Sequence, residues 1–388
     1  MVGAGKGSGP WEIDRLREPP AYSWGRTEHL PEYDLKELYY EGESYRGRKT
    51  RVFAYYAAPR EAERPLPSIV LVHGGAGKAF PEWAGQWAAR GYAAIAMDLF
   101  GNGPDGARLE DGGPEQNDET LFWGLSEESV REMWSYHAVA GVVRAISLAA
   151  SLPEVDASKI GVMGISWGGY VSGIVTGLDS RPAYAMLVYA AGYFREGSCW
   201  MDRLSRLGEN ERRLWDEAFD VGAYIGRSST PTLWATGTND ECFHLSCWRK
   251  TVEAAQGDKT LRLIKDWEHN YAVPWETREF LAYADSRVRG GKPLPAILGI
   301  GEERDGTVRF EYATLTGVRK AELIYTADGK TSPSSRWERT PAEVWENGGN
   351  RVTCRLPAEA ATYFFTLEDE EGNTVSTEVR DTAARTEQ

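Results

Sequence analysis

One serine of the chain lies in a Gly-x-Ser-x-Gly motif, between an apolar, strand-like run and a segment compatible with a helix. It is Ser166, and Gly164 and Gly168 stand two positions before and after it. A serine on a sharp strand-to-helix turn has a strained backbone, so its neighbours at those positions must be small. The N–H of Trp167 at the helix start would point at a developing oxyanion. The motif predicts a nucleophile elbow; an ordinary glycine-rich turn is the alternative.

A second glycine-rich segment, His73-Gly74-Gly75-Ala76-Gly77, follows a short and wholly apolar run. Glycines at this point would let the backbone approach a substrate carbonyl closely. We expect the N–H of Gly75 or Ala76 to join that of Trp167 as donors to the oxyanion. We expect His73 to hold the loop through hydrogen bonds rather than to transfer protons. The alternative is a tight turn without a role in catalysis.

A serine nucleophile needs a base that takes its proton, and the chain offers five histidines. His269 follows the predicted strand 261–264 and is the expected base. His244 is the competing candidate, but it precedes that strand. His29 lies before the predicted sheet and His137 lies inside a predicted helix, so we expect neither to be catalytic.

The base in turn needs an acid that orients it. Asp240 follows the predicted strand 232–236 and is the expected acid, with Glu241 and Asp266 as alternatives. Asp98, which closes an earlier strand, is expected to be structural or to face the substrate. The order along the chain is therefore serine, aspartate and histidine, which is the order found in α/β-hydrolases.

These residues need a scaffold that brings the ends of several strands together. Two strands are expected within 37–56, and after a charged linker at 59–67 apolar strands alternate with helical segments as far as residue 290. This alternation is typical of a mostly parallel sheet with helices on both faces. A long helix is expected to begin with Ser126 as its cap. Two insertions, 104–124 and 195–228, are expected to lie above the sheet and shape the pocket, the second as a lid.

Both ends of the chain differ in pattern from this central region. Residues 1–35 are rich in Pro, Gly, Arg and Glu and are expected to form an extension packed on the surface. After the Gly- and Lys-containing boundary at 289–293, short alternating strands separated by turn signals continue to the end. That spacing predicts a β-sandwich domain of the immunoglobulin or fibronectin type over residues 294–388.

The composition is that of a globular protein with an acidic excess. Of its 388 residues 41% are hydrophobic, and the formal net charge is −14. This charge disfavours nucleic acid and anionic membranes as partners, because both require clustered Lys and Arg. No apolar run approaches the roughly 20 residues that span a bilayer, and no signal-peptide core is visible, so a cytoplasmic location is expected. The sequence does not decide the oligomeric state, and a homo-oligomer is one of the alternatives.

The four cysteines do not form a recognisable framework. Cys242 and Cys247 lack the spaced companions of a zinc site, and four cysteines in so long a chain do not indicate disulfide bonding. We therefore expect reduced thiols, and we expect neither a metal nor another cofactor.

Four segments together resemble the bacterial acetylxylan esterase-like α/β-hydrolases, relatives of dienelactone hydrolase and of the prolyl oligopeptidase catalytic domains. The segments are VHGGAG at 72–77, RGYAAIAMD at 90–98, GISWGGY at 164–170 and GTND at 237–240. The resemblance implies an α/β-hydrolase fold for 36–290. It also implies a serine esterase that removes acetyl or other short acyl groups from sugars or similar small esters, with Ser166, Asp240 and His269 as its triad.

Two other functions share parts of this pattern. A serine peptidase of the prolyl oligopeptidase type would use the same triad, but such enzymes usually carry a large N-terminal propeller, whereas here only some 65 residues precede the sheet. A binding protein on a hydrolase scaffold would need no triad. The 15 Trp, 19 Tyr and 11 Phe include residues near Trp123 and Trp200 in the insertions. Aromatic planes suit the apolar faces of sugars, although most such rings are expected in the core.

Overall fold

The computed structural model describes residues 9–267, 269–271, 277–303, 305–346 and 349–382. Within these ranges the chain forms two compact units. The first contains the chain as far as Thr232 together with Lys250–Asp258, and the second contains Leu233–Arg249 and the chain from Lys259 onward. Among the described residues, no helix is long and apolar enough to cross a membrane.

The elements of the first unit alternate between strands and helices. Its strands are β1 (Tyr22–His29), β2 (Tyr33–Glu41), β3 (Arg51–Pro59), β4 (Leu66–Val72), β5 (Ala93–Met97), β6 (Val155–Ile165) and β7 (Tyr184–Val188). Its α-helices are α1 (Ile13–Leu16), α2 (Pro81–Ala88), α3 (Asp118–Leu121), α4 (Trp134–Ser151), α5 (Trp167–Leu178), α6 (Met201–Ser205) and α7 (Glu209–Phe219).

The chain then continues through β8 (Thr232–Gly237), α8 (Leu245–Ala254), β9 (Lys259–Ile264) and α9 (Glu279–Val288). The sequence pattern predicts a last amphipathic helix from about Trp275 to Val288; α9 forms its later part, and Trp275 lies outside the described residues. The remaining strands are β10 (Ala296–Glu302), β11 (Thr307–Ala313), β12 (Val318–Thr326), β13 (Glu338–Trp345), β14 (Arg351–Arg355), β15 (Thr362–Asp369), β16 (Thr374–Ser376) and β17 (Arg380–Asp381).

A mixed sheet forms the centre of the first unit. Strands β1, β2 and β3 pair antiparallel, and β3 pairs antiparallel with β5. Strands β5, β4, β6 and β7 follow in that spatial order and are parallel. Every residue of β4, β5 and β7 is buried, as expected for strands covered on both faces. The predicted α/β sheet is confirmed, with an antiparallel portion contributed by β1, β2 and β3.

The predicted start of the long helix is wrong. Helix α4 begins at Trp134, because Met133 before it is extended, with φ −73° and ψ 145°. Ser126 caps only a single turn: its Oγ accepts a hydrogen bond from the N–H of Ser129 at 3.2 Å. Ser129 in turn donates from Oγ to the carbonyl of Gly124 at 2.7 Å. Serine side chains that bond to nearby backbone in this way compete with helix formation.

The N-terminal segment is anchored on the first unit through buried side chains. Trp11 is 1% exposed, and its indole N–H donates to the carbonyl of Tyr136 at 2.9 Å. The carboxylate of Glu43, which is also buried, accepts hydrogen bonds from Arg15, from Arg144 Nη2 at 2.7 Å and from the hydroxyl of Tyr136 at 2.9 Å. Burial alone would raise the pKa of Glu43, but these hydrogen bonds outweigh it and lower that pKa below its ordinary value.

We expect Glu43→Ala to lower the free energy of unfolding by about 3–5 kcal/mol, because it leaves the guanidinium of Arg144 buried without its charged partner. Urea unfolding followed by tryptophan fluorescence measures this loss. The matched control is Glu217→Ala: Glu217 pairs with Arg213 at 3.1 Å while both side chains are about 60% exposed, so its loss should stay below about 1 kcal/mol. Equal losses in the two variants would contradict the prediction.

The C-terminal part of the second unit consists of antiparallel ladders. One ladder joins β10, β11, β14 and β13, and the other joins β13, β12 and β15, which also pairs with β16 and β17. Strand β13 takes part in both, since 338–342 pairs with β12 and 343–345 pairs with β14. The phenyl rings of Phe310 on β11 and Phe365 on β15 lie 5.3 Å apart. The sequence pattern predicts strands at 307–312, 320–325, 351–355, 362–367 and 374–379, and it indicates neither β10 nor β13.

Candidate active site

Ser166 occupies a strained turn between a strand and a helix. Strand β6 ends at Ile165 and helix α5 begins at Trp167, so the serine alone connects them. Its backbone has φ 58° and ψ −121°, a conformation that costs a residue other than glycine about 1–3 kcal/mol and persists only where the surroundings enforce it. The surroundings do so here, since Ser166 N–H donates to the carbonyl of Val188 at 2.8 Å.

Glycine is required on both sides of this turn because backbone segments come very close together. A Cβ on Gly164 would lie 2.1 Å from the carbonyl oxygen of Gly168. A Cβ on Gly168 would lie 2.1 Å from the carbonyl oxygen of Val72, the last residue of β4. Both distances are far below any van der Waals contact, so no side chain fits at either position.

The glycine-rich loop after β4 lies against the residue that follows the serine. A Cβ on Gly75 would lie 2.9 Å from Cδ1 of Trp167, and Ala76 has a positive φ of 55°. His73 is 1% exposed and bonds through both ring nitrogens: Nδ1 donates to the carbonyl of Gly74 at 2.8 Å and Nε2 accepts from Leu99 N–H at 3.0 Å. This histidine therefore holds the loop, as expected.

Residues from both insertions lie next to the elbow. The Trp200 ring, from insertion 195–228, lies 4.5 Å from that of Trp167, and Gln116 Oε1, from insertion 104–124, would lie 3.5 Å from a Cβ on Gly75. The insertions also bind each other, because Arg203 Nε donates to Asp118 at 3.0 Å. Together they place aromatic and amide side chains around the serine loop.

In the second unit, an aspartate and a histidine form a close pair. His269 Nδ1 lies 3.0 Å from Oδ1 and 3.1 Å from Oδ2 of Asp240. Asp240 is 1% exposed, and its Oδ1 also accepts from the backbone N–H groups of Cys242 at 2.8 Å and Phe243 at 2.9 Å. The carboxylate is thus held by the backbone of its own loop. It bonds to Nδ1, the nitrogen through which an acid orients a catalytic imidazole.

The environment of His269 sets its pKa in two opposing ways. Burial favours the neutral ring and lowers the pKa, whereas the hydrogen bond and the negative charge of Asp240 raise it. The charges of Cys242 and Glu241 add smaller contributions in the raising direction. The result is a pKa above the ordinary value of 6.5.

The structure places the other histidines in different settings. His29 lies on β1 and bonds to Asp34 at 2.8 Å in an exposed position. His137 lies inside α4, where burial lowers its pKa to about 4. His244 precedes α8, and its backbone carbonyl accepts from Trp248 N–H at 3.1 Å. His73 Nε2 lies 3.7 Å from the buried Asp98, beyond hydrogen-bond distance. A hydrogen bond from a ring nitrogen to a buried carboxylate thus distinguishes His269 among the histidines of the described residues.

The alternative acids also occupy different positions. Glu241 is exposed, and the exposed carboxylate of Asp266 pairs with Lys265. Asp98 is buried after β5, and its Oδ2 accepts from the N–H groups of Phe100 and Asn102, each at 2.8 Å. That geometry gives Asp98 a structural role in its own turn.

A set of side chains that could hold a metal overlaps with the aspartate–histidine pair. Ligand atoms of Asp240, Cys242 and His269 lie within 4.8 Å of one another. Because Asp240 and His269 already share a hydrogen bond of normal length, we assign them to that pair. The expectation that the protein uses no metal stays a prediction.

The mixed sheet and the strained serine turn define an α/β-hydrolase fold, and known proteins share it. A family model described as acetyl xylan esterase matches residues 26–195, which include the elbow. An acetyl xylan esterase from Paenibacillus sp. R4 is 24% identical over 71% of this chain and 92% of its own, with a TM-score of 0.60. Acetyl xylan esterase 1 from Thermoanaerobacterium sp. JW/SL YS485 is 18% identical over 72% of this chain and 96% of its own, with a TM-score of 0.57.

A third similar structure, an S-formylglutathione hydrolase from Agrobacterium tumefaciens, is 14% identical over 69% of this chain and 99% of its own, with a TM-score of 0.53. At these identities the structures establish the fold. The family match confirms the resemblance to the acetylxylan esterase-like α/β-hydrolases. The protein is a carboxylic ester hydrolase.

We expect Gly168→Ala to lower the free energy of unfolding by about 1–3 kcal/mol or more, because its Cβ would collide with the backbone of Val72. Gly226→Ala is the matched control: its Cβ would find its nearest neighbour at 3.6 Å, an ordinary contact. Thermal unfolding of both variants measures the difference. Wild-type stability of Gly168→Ala would show that the close approach is not maintained in solution.

We expect an NMR titration of His269 to give a pKa above 6.5 in the wild type and a lower value in Asp240→Asn, where burial dominates. We expect His269 to act as the base in its neutral form, so kcat/KM for ester hydrolysis should rise as the pH increases through this pKa. In Asp240→Asn that rise should move to lower pH, with kcat reduced by about 10³- to 10⁴-fold. Asp34→Asn, which removes the partner of His29, is the control and should leave the profile unchanged.

Proposed function

We propose that this protein is a serine esterase that removes short acyl groups, above all acetyl, from a carbohydrate or similar small ester. Ser166 is the nucleophile, His269 the general base and Asp240 the acid that orients the imidazole. The observation that carries the proposal is the pair of hydrogen bonds from His269 Nδ1 to the buried Asp240. The strained turn at Ser166 supports it, because such strain is maintained at functional sites.

In the proposed reaction, Ser166 Oγ forms a bond to the ester carbonyl carbon while Nε2 of His269 accepts the hydroxyl proton. The carbonyl oxygen becomes an oxyanion that accepts from the N–H of Trp167 and from that of Gly75 or Ala76. When the intermediate collapses, the C–O bond to the alcohol breaks and His269 protonates the leaving alcohol. Water then attacks the acyl-enzyme by the same route and releases the acid.

The preference for a short acyl group is supported by the bulk around the elbow. The ring of Trp167 is 5% exposed and lies 4.5 Å from that of Trp200 and 5.9 Å from that of Phe194. Large rings so close to the nucleophile leave less room for a long acyl chain than for an acetyl group. An acetylated sugar is supported by the matched family and by two similar structures, all described as acetyl xylan esterases.

The domain arrangement belongs to this proposal as well. Residues 36–290 would form the catalytic domain, and residues 294–388 a β-sandwich of the immunoglobulin or fibronectin type. The two antiparallel ladders and the contact between Phe310 and Phe365 support the sandwich, because rings from facing sheets meet in its core.

We expect a fluorophosphonate probe to label the wild-type protein and not Ser166→Ala, because only an activated serine reacts with it. Ser158→Ala, at an exposed position of β6, is the control and should be labelled like the wild type. Ser166→Ala should also lower kcat for nitrophenyl acetate by at least about 10³-fold. Labelling that persists in Ser166→Ala would contradict the assignment of the nucleophile.

A substrate panel then tests the acyl group and the alcohol. We expect nitrophenyl acetate to be turned over faster than the octanoate, and acetylated xylo-oligosaccharides to release acetate. Nitroanilides of Pro- or Ala-containing peptides should not be cleaved. Efficient cleavage of those peptides would favour the serine peptidase over the esterase.

A further inference from the structure

The residue before the proposed catalytic acid is bound to a distant segment of the second unit. The side-chain amide of Asn239 donates from Nδ2 to the backbone carbonyls of Pro333 and Ser335, each at 2.8 Å. The amide group has two protons, so both carbonyls can be satisfied at once. Pro333 and Ser335 follow Asn239 in the chain by 94 and 96 positions. They thus fix the loop that contains Asp240.

The carbonyl oxygen of the same side chain continues the connection towards the histidine. Asn239 Oδ1 accepts from the hydroxyl of Thr238 at 2.6 Å, and that hydroxyl oxygen accepts from Asp266 N–H at 3.0 Å. Thr238 is 1% exposed, and its own N–H donates to the carbonyl of Ile264 at 3.1 Å. Asp266 stands three residues before His269 in the segment after β9. A single chain of hydrogen bonds therefore links the segments that contain Asp240 and His269.

The two carbonyls that hold Asn239 belong to a shaped turn. Ser335 N–H donates to the carbonyl of Ser332 at 3.0 Å, and Ser332 N–H donates to Oγ of Ser335 at 2.9 Å. Ser335 is 3% exposed, and the nearby ring of Trp337 lies 5.7 Å from that of Phe364 on β15. The turn at 332–335 is thus fixed on the C-terminal strands.

A second connection fixes the strand that leads to His269. Ser376 on β16 lies opposite Leu261 on β9. Its hydroxyl accepts from Leu263 N–H at 2.9 Å and donates to Leu263 O at 3.3 Å. Both the loop after β8 and the strand before His269 are therefore attached to the C-terminal strands.

We propose that Asn239 is a positioning residue: through its bonds to the turn at 332–335, it holds the Asp240–His269 pair in a fixed geometry. The proposal rests on the proposed function, because it takes these two residues as the catalytic acid and base. A catalytic constellation tolerates only small errors in distance and angle, and a displacement of about 1 Å can cost about 10²-fold in rate. The C-terminal strands thereby contribute to catalysis without touching the substrate.

The test compares Asn239→Ala and Asn239→Asp with the wild-type full-length protein. The alanine removes every bond of the side chain, and the aspartate keeps its size but places a carboxylate oxygen against the two carbonyls. We expect kcat for nitrophenyl acetate to fall about 10- to 100-fold in both, with KM within about twofold. In Asn239→Ala the acid limb of the kcat/KM profile should move to lower pH, because a loosened Asp240 no longer supports the charged imidazole. Asn239→Asp is judged by kcat alone, since its added negative charge acts to raise the pKa of His269.

The matched control is Asn373→Ala. Asn373 is a buried asparagine of the C-terminal strands whose Nδ2 donates to Asp369 at 3.1 Å within its own turn. We expect it to lower stability while leaving kcat and the pH profile of the folded protein unchanged. A loss of kcat and a shift of the profile equal to those of Asn239→Ala would overturn the proposal.

Ser335→Ala tests the other end of the connection, because it removes the hydroxyl that shapes the turn. We expect a smaller loss of kcat with the same shift of the acid limb. Combined with Asn239→Ala it should add little further loss, since both changes break one connection. If Asn239→Ala does not fold, Asn239→Asp and Ser335→Ala test the positioning role of Asn239 instead. Additive losses, or a wild-type kcat and pH profile in folded Asn239 variants, would overturn the proposal.

Failure of the proposed function gives a different result. If Ser166, Asp240 and His269 are not the triad, the wild-type protein is not labelled by the fluorophosphonate, or Ser166→Ala keeps its activity. If only the positioning proposal is wrong, labelling and the effect of Ser166→Ala remain, and the Asn239 variants resemble the wild type.

Discussion

The structure around the proposed nucleophile depends on one close approach between backbone segments. Gly168 at the start of α5 lies so near the carbonyl of Val72 that a Cβ would come within 2.1 Å of it. This contact brings the end of β4 against the elbow. The loop that follows β4 therefore lies beside Trp167. There the backbone N–H groups of the loop can donate hydrogen bonds to an oxyanion. The strain at Ser166 is maintained by the strand and the helix on either side and by the hydrogen bond from its N–H to the carbonyl of Val188.

The two insertions, 104–124 and 195–228, place bulky side chains beside the turn at Ser166, which the strands of the sheet do not supply. Rings of Trp167 and Trp200 lie in contact, and Arg203 ties one insertion to Asp118 of the other. The turn that contains Ser166, the proposed nucleophile, is thereby flanked by bulky side chains, and Ser166 itself is 9% exposed. In a site of this kind, selectivity for acyl size follows from the volume left between rigid rings, whereas the catalytic groups can stay the same across relatives with other substrates.

The proposed acid and the proposed base, Asp240 and His269, are held by a different set of bonds. Asp240 is fixed by N–H groups of its own loop, and His269 is oriented through Nδ1. The neighbouring Asn239 binds carbonyls of the C-terminal strands. The turn at 332–335 is thus connected by hydrogen bonds to the loop that contains Asp240, the proposed catalytic acid. The comparisons establish the fold and the carboxylic ester hydrolase class. Which ester the protein accepts is set by the shape and chemistry of its own site.

Local patterns in the sequence were sufficient for the elements that carry the site. The apolar run 69–72 predicts the last four residues of β4, the segment 232–236 after Pro231 predicts most of β8, and the small residues around Ser166 indicate the elbow, because these signals depend only on neighbours in the chain. Strand β13 could not be predicted: Pro341 within it argues against a strand, and only its partners β12 and β14 stabilise it. The start of α4 was missed because local bonds of Ser126 and Ser129 compete with the helix. Only the tertiary structure decided the attachment of Asn239 to the turn at 332–335, because hydrogen bonds between residues some 95 positions apart leave no periodic pattern in the sequence.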